Sequence, residues 1–118
     1  MFDLKIKLVI ASLEINEKTQ NIQTVILSEK KDELILPTIH LQSDFSIENQ
    51  HKQYFKEYTG LEYDWIEHKI LDLEQENNTI IMYYCSTIPI ETKIYNGFFI
   101  SSNYGMDKKI IQKAVRYI

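Results

Sequence analysis

Apolar and polar side chains alternate near the start of the chain, which is the pattern of a β-strand with two different faces. Leu4, Ile6, Leu8 and Ile10 fall on one face, and lysines stand between the first of them. Further apolar residues then interrupt the alternation, which indicates that the strand becomes buried on both faces or bends. The pattern therefore predicts a long strand over residues 4–15.

A polar turn, a second strand and a charged turn follow. The polar residues 16–21 are typical of a turn, and the residues 22–28 predict the second strand. The charged residues 29–33 predict a hairpin-like turn. A short apolar run at 34–36 predicts a third strand, which Pro37 ends because proline has no amide proton to donate to a sheet.

Residues 46–59 have the periodicity of an amphipathic helix. Ser46 is the expected N-cap, and Asp44 is the alternative if the helix begins two residues earlier. Gly60 stands where a residue in the left-handed conformation would end the helix. One face of this helix consists of Ile47, His51, Tyr54, Phe55 and Tyr58, which recur at helical spacing.

The second half of the chain has the pattern of strands followed by a helix. Strands are predicted at about 61–72 and 79–88 with a turn at 76–78 between them, and a further strand is predicted over 94–101. The apolar stripe of the last segment predicts a helix over about 106–117. This order of strands, helix, strands and closing helix is typical of an α+β fold.

Length and composition restrict the class of protein. The chain has 118 residues, so one domain covering residues 1–118 is expected. No apolar run approaches the roughly 20 residues that a membrane span needs. The net charge of −4 argues against a nucleic-acid binder, because such domains are normally basic. The single cysteine, Cys85, excludes an intramolecular disulfide, and a reducing, cytoplasmic location is expected.

Charge and aromatic residues are unevenly distributed along the chain. Residues 62–76 are mostly acidic, which predicts either a solvated surface or a face for a basic partner. Tyr63 and Trp65, in a predicted strand, are candidate contacts for a protein partner because Tyr and Trp are enriched in interface hot spots. His51 and His68 are expected to be at the surface or half-buried. The basic side chains of the last helix, which form a candidate contact patch, are Lys108, Lys109, Lys113 and Arg116.

The segment 36–61 resembles a Nudix box, the pattern G-x5-E-x7-R-E-U-x-E-E-x-G-U in which U is an aliphatic residue. The pattern lies over the segment without a gap, and its closing residues fall on Gly60 and Leu61. The opening glycine falls on Ile39 and the first glutamate on Phe45. The Arg-Glu pair falls on Gln53 and Tyr54, and the Glu-Glu pair falls on Glu57 and Tyr58. Glu57 therefore matches a box glutamate, whereas the other box glutamates are replaced.

The resemblance implies a Nudix-like α/β/α sandwich with a mixed sheet. It also implies the chemistry of Nudix enzymes, which cleave a pyrophosphate linked to a nucleoside with divalent ions that the box glutamates hold. Mg²⁺ needs oxygen ligands with enough negative charge, and the neutral phenols of Tyr54 and Tyr58 are poor ligands. His40, Asp44 and Glu57 do not have a recognised ligand spacing. The sequence therefore favours this fold without a metal site or cofactor and without hydrolysis, and Mg²⁺ is expected only if the chain is an enzyme after all.

Three functions stay open. The preferred one is a protein-interaction module or assembly subunit without hydrolase activity, because a vacated polar cleft tends to be filled with apolar volume. The second is a nucleotide-binding protein whose candidate ligand contacts are His40, Gln42, Gln53, Tyr54 and Tyr58. The third is a divergent metal-dependent hydrolase of nucleoside-diphosphate-linked compounds, which would need Glu57 and Mg²⁺.

Overall fold

The N-terminal alternation becomes the longest strand of a six-stranded mixed sheet. The computed structural model describes residues 3–41, 46–101 and 108–115. The strands in these ranges are β1 (Asp3–Asn16), β2 (Asn21–Ser28), β3 (Thr38–His40), β4 (His68–Glu76), β5 (Thr79–Thr87) and β6 (Phe98–Ser101). The helices in the same ranges are α1 (Ile47–Thr59), α2 (Lys108–Val115) and a short 3-10 helix at Tyr63–Trp65.

The strand β1 organises the sheet, whose order is β4-β5-β1-β2-β6. On one side β1 runs parallel to β5. On its other side it pairs with the antiparallel strands β3 and β2, which lie one after the other along its length. The strands β4 and β6 form the two edges of this order.

Each face of the sheet has its own apolar cluster. The cluster on the α1 side contains Ile6, Leu8, Ile10, Leu27, Ile39, Phe55 and Ile88. The cluster on the α2 side includes Val9, Ala11, Ile26, Leu71, Tyr83, Ile110, Ile111 and Ala114. Successive side chains of a strand point to opposite faces, and successive residues of β1 enter different clusters. The two helices therefore lie on opposite faces, which confirms the predicted α+β sandwich and the burial of β1 on both faces.

The helix α1 begins and ends as predicted. The Ser46 hydroxyl accepts a hydrogen bond of 3.1 Å from the amide of Asn49, which satisfies a donor that has no partner inside the helix. Gly60 ends the helix in the left-handed conformation, with φ of 69°, and its amide donates to the Lys56 carbonyl at 2.7 Å. Ile47, in the first turn, is 37% exposed.

Replacing Gly60 by alanine is expected to destabilise the domain. A methyl group there would occupy the position of the Tyr95 ring, and alanine also resists the left-handed conformation. We expect Gly60→Ala to lower the free energy of unfolding by about 1–2 kcal/mol or more in a denaturant titration. The double variant with Tyr95→Ala should recover the steric part of this loss. A Gly60→Ala variant as stable as the wild type would contradict the contact.

The third strand lies further along the chain than predicted. Residues 34–36 do not form a strand, and the strand is Thr38–His40. The cause is Ser28, whose hydroxyl donates to the Glu33 carbonyl at 2.7 Å and accepts from the Ile35 amide at 2.9 Å. The chain curls around this hydroxyl, which satisfies the Glu33 carbonyl and the Ile35 amide, while the Ile35 carbonyl accepts from the Glu29 amide at 2.9 Å.

Two other strand predictions were wrong in their limits. The strand expected at 61–72 begins at His68 and continues to Glu76, and Tyr63 and Trp65 lie in the 3-10 helix before it. The strand expected over 94–101 is confined to Phe98–Ser101. The residues before β6 instead bond to the end of α1, as described below.

The turn between β4 and β5 and the core stripe of α2 were predicted correctly. Asn77 occupies the left-handed region with φ of 55°, which asparagine tolerates better than most residues. The α2 residues Ile110, Ile111 and Ala114 are buried. The predicted ends of this helix at 106 and 117 lie outside the described residues. Among the described residues, no helix is long and apolar enough to cross a membrane.

Candidate functional site

The helix α1 carries the Arg-Glu and Glu-Glu positions of the Nudix-box pattern, at Gln53, Tyr54, Glu57 and Tyr58. Tyr54 and Tyr58 are half-buried and pack against the apolar cluster on the α1 side. Gln53 and Glu57 are exposed on the same helix. The two phenol rings therefore contribute to the packing of the fold, and the two polar side chains face solvent.

Tyr58 is held in place by a long-range hydrogen bond. Its hydroxyl donates to the Glu29 carboxylate at 2.8 Å, across to the charged turn that follows β2. Burial raises the pKa of Tyr58, and the hydrogen bond to Glu29 and the negative charges of Glu29 and Glu57 raise it further. The phenol therefore stays protonated and neutral at physiological pH, and it does not carry the negative charge of a carboxylate.

The carboxylate of Glu57 interacts along its own helix. The side-chain amide of Gln53 donates to Glu57 Oε1 at 3.5 Å. The backbone carbonyl of Glu57 accepts from the side chain of Asn96 at 3.3 Å. Next to it, the Tyr95 amide donates to the Tyr58 carbonyl at 2.9 Å. The loop before β6 therefore satisfies two carbonyls of the last turn of α1, which a helix end otherwise leaves without partners.

A cluster of imidazole and phenol rings lies under α1, and the sequence did not predict it. His51 is only 1% exposed, so the prediction of a surface or half-buried position was wrong for it, whereas His68 is half-buried as predicted. The Tyr63 hydroxyl lies 3.0 Å from His51 Nδ1. The Tyr63 ring stacks on His68 with a centroid separation of 3.8 Å. His51 also contacts the Tyr84 ring at 4.2 Å.

A hydrogen bond to a backbone carbonyl determines which nitrogen of the neutral His68 ring carries the proton. Its Nε2 lies 3.0 Å from the Tyr63 carbonyl, which can only accept, so Nε2 carries the proton and Nδ1 is bare in the neutral ring. Within the described residues, His51 Nε2 and His68 Nδ1 are buried without a hydrogen-bond partner. Burial, and to a smaller extent the neighbouring His68, lower the pKa of His51 to about 4. Burial also lowers the pKa of His68, against the opposing effects of the Tyr63 carbonyl and Asp64.

Comparison with known proteins identifies the fold. A mutT/nudix family protein from Listeria innocua superposes with a TM-score of 0.73 over 98% of this chain and 92% of its own, at 10% identity. The NUDIX domain of Shewanella oneidensis NrtR, solved with ADP ribose, gives a TM-score of 0.62 over 99% and 88%, at 13% identity. The chain has a Nudix fold. The Ap4A hydrolase of C. elegans, in a binary complex, gives 0.58 over 98% and 96%, at 10% identity. No family model and no curated protein matches the sequence.

The Nudix fold implies a divalent metal, and the described residues do not fit one. The phenols of Tyr54 and Tyr58 are neutral and are committed to packing, and the Glu57 carboxylate faces the amide of Gln53. Across residues 3–41, 46–101 and 108–115, no three His, Cys, Asp or Glu side chains come together as a ligand set. Mg²⁺ sites need several oxygen ligands with negative charge, which this donor set does not supply.

The other candidate ligand contacts are placed only in part. His40 is exposed at the end of β3, and Gln53 is exposed on α1. Gln42 and Asp44, the alternative N-cap, lie outside the described residues. The cavities at the sheet surface are lined by other residues. One, of about 190 Å³, is lined by Glu67, Lys69, Cys85, Ser86 and Thr87, and another, of about 400 Å³, by Lys31, Asp32, Phe99, Ile100 and Ser101.

The candidate partner contacts differ in exposure. Trp65 is 82% exposed, whereas Tyr63 is half-buried because its ring stacks on His68. Lys109 is exposed on α2, and Lys113 lies 4.0 Å from the Asp72 carboxylate. Arg116 and the side chain of Lys108 lie outside what the structure describes. The Trp65 ring is therefore the largest aromatic surface that this set presents to solvent.

The acidic segment is partly neutralised by lysines of the same chain. The Lys52 ammonium lies 3.5 Å from Asp64, and that of Lys56 lies 3.1 Å from Glu62. Both pairs are largely solvent-exposed, so each contributes little to stability. The two ion pairs link α1 to the segment of the 3-10 helix. The surface around residues 62–64 is therefore less acidic than the sequence of that segment indicates.

Proposed function

We propose that this Nudix-fold domain is a protein-interaction module or assembly subunit that does not hydrolyse nucleoside-diphosphate-linked compounds. The observation that carries the proposal is the position of Tyr58. Its ring packs on the apolar cluster and its hydroxyl bonds Glu29, at a position where the Nudix pattern has a glutamate. A side chain held in this way cannot turn toward a cation without breaking both contacts.

A second observation supports the interaction role. The short segment that includes Trp65, Ile70 and Leu73 exposes these three side chains by 82%, 55% and 60%. Large apolar side chains that remain exposed on a folded domain are candidate contacts for a partner. Tryptophan in particular contributes strongly to binding when a partner covers it.

Nucleotide binding without hydrolysis is the second candidate. The Nudix domain of NrtR was solved with ADP ribose, and the half-buried rings of Tyr54 and Tyr58 offer stacking surface beside the exposed amide of Gln53. Base stacking on an aromatic side chain does not need a metal ion. This function would therefore use the same helix as the enzymes do, without their carboxylates.

A hydrolysis and thermal-shift panel separates these functions. The purified chain is incubated with ADP-ribose, NAD, nucleoside triphosphates and dinucleoside polyphosphates, with and without Mg²⁺ or Mn²⁺. We expect neither turnover nor stabilisation. The matched controls are Glu57→Gln, which removes the remaining box carboxylate, and Tyr54→Ala, which removes a stacking surface.

Each departure from that result overturns the proposal in a different way. Metal-dependent turnover that Glu57→Gln abolishes would establish the divergent hydrolase. Metal-independent stabilisation by one nucleotide, lost in Tyr54→Ala, would establish the nucleotide binder; at 100 times the dissociation constant it amounts to about 2.7 kcal/mol.

A further inference from the structure

The strand β4 forms one edge of the described sheet. It pairs with β5 on one side, and the described strands place none on the other. An edge strand presents unpaired amide and carbonyl groups, which makes it a template for another strand. The question is which strand its side chains fit.

A β-bulge brings two exposed apolar residues of β4 onto the same face. Ile70 lies opposite Tyr84, and Leu73 lies opposite Met82, with a register shift between them. Residues three apart in a regular strand point to opposite faces, but the extra residue of a bulge changes the alternation. Tyr84 and Met82 both pack on the α1 side, so Ile70 and Leu73 are exposed on that side.

The opposite face of β4 carries a pair of opposite charges. Lys69 lies opposite Cys85, and Glu74 lies opposite Ile81, and both of these neighbours belong to the cluster on the α2 side. Glu74 accepts a hydrogen bond of 2.9 Å from the Tyr83 hydroxyl, and Lys69 lies 3.3 Å from Glu67. These contacts fix the two charged groups near the exposed edge.

We propose that β4 pairs with β4 of a second copy of this chain, antiparallel and around a two-fold axis. With the axis between Leu71 and Asp72, Ile70 lies opposite Leu73 of the partner subunit and Lys69 lies opposite Glu74 of the partner subunit. One register thus matches an apolar pair on one face and an ion pair on the other. The symmetry forms each pair twice, as an isologous interface requires. Two six-stranded sheets would become one continuous sheet.

This inference rests on the proposed interaction role, for which it names one partner. The two can fail separately, because the hydrolysis panel does not depend on the oligomeric state. Bulges and charged side chains also occur on edges that stay unpaired. If the chain is a monomer, the bulge and the charged side chains of β4 instead protect this edge from pairing with another strand.

Sedimentation velocity over a wide range of protein concentration tests the pairing. The wild type is expected to show a reversible monomer–dimer equilibrium. Lys69→Glu and Glu74→Lys each place like charges opposite one another twice, so each should raise the dimer dissociation constant at least about tenfold. The double variant Lys69→Glu/Glu74→Lys restores opposite charges, so it should dimerise like the wild type. Glu14→Lys, an exposed reversal on β1, is the matched control.

Apolar substitutions give an independent test on the other face. Leu73→Lys should abolish the dimer, whereas Ile22→Lys on β2, where the replaced side chain is similarly exposed at 64%, should leave it unchanged. Thermal melts verify that each variant is folded. A monomer at every concentration, a dimer that neither single reversal weakens, or a double variant that fails to recover would each overturn the proposal.

Discussion

Lowering the pH from about 7 to about 4 is expected to reduce the free energy of unfolding by about 3 kcal/mol through His51 alone. The neutral ring is buried, and burial lowers its pKa from 6.5 to about 4. Each unit of difference between the folded and unfolded pKa corresponds to about 1.4 kcal/mol. The loss is large beside the total stability of a small domain, which is about 5–15 kcal/mol.

The direction follows from which state binds protons more readily. In the unfolded chain His51 takes up a proton as the pH falls through 6.5, whereas in the folded chain it stays neutral until about 4. The stabilising contribution is therefore complete above the unfolded pKa and is lost between these two values. The lowered pKa of His68 adds a loss in the same direction. The groups that surround the pair are the phenols of Tyr63 and Tyr84 and the carboxylate of Asp64.

Urea titrations at a series of pH values measure this loss, and a variant separates it from the effect of carboxylates. His51→Asn retains a polar atom near the Nδ1 position but has no titrating ring. We expect it to be less stable than the wild type near pH 7 and to have a flatter profile between about pH 6.5 and 4. His40→Asn, which changes an exposed histidine, should run parallel to the wild type. Parallel profiles for His51→Asn and the wild type would refute a neutral buried His51.

Phe55→Ala is expected to be the most destabilising single change on α1, at about 3–5 kcal/mol. Phe55 is 0% exposed. Its ring meets His68 edge-to-face with the centroids 4.7 Å apart, and it meets Tyr63 at 6.0 Å in the same way. Removing the ring leaves a cavity between the helix and the histidine cluster, in addition to the lost burial of apolar surface.

The comparison on the same helix is Ile47→Ala. Ile47 lies in the first turn and is partly exposed, so its truncation should cost less than about 1 kcal/mol. Chemical denaturation of both variants gives the two values under the same conditions. Similar losses for the two would show that Phe55 is not the anchor of α1 on the sheet.

The sequence was sufficient for elements whose determinants are local. The alternation of β1, the Ser46 cap and the Gly60 end of α1 depend on neighbouring residues, and each was predicted within about a residue. The fold followed from these elements and from the resemblance.

The errors concern features that depend on distant residues. Leu34 and Leu36 are buried, as their apolar character indicates, but Ser28 satisfies the backbone there and no strand forms. The aromatic residues Tyr63 and Trp65 are typical of a strand, but they lie in a 3-10 helix, where the Tyr63 ring stacks on the His68 ring. His51 is buried against the rings of Tyr63, His68 and Tyr84, which belong to other elements of the fold. No periodicity in one sequence specifies such contacts between elements.

Mn²⁺ binding by isothermal titration calorimetry is the most direct test of the central proposal, which is that the tyrosines on α1 leave this Nudix fold without a metal site. The wild type is compared with the double variant Tyr54→Glu/Tyr58→Glu, which restores carboxylates one turn apart beside Glu57. The predicted result is no specific binding by the wild type and measurable binding by the double variant if it folds. Stoichiometric binding of Mn²⁺ by the wild type, abolished by Glu57→Gln, would contradict the claim.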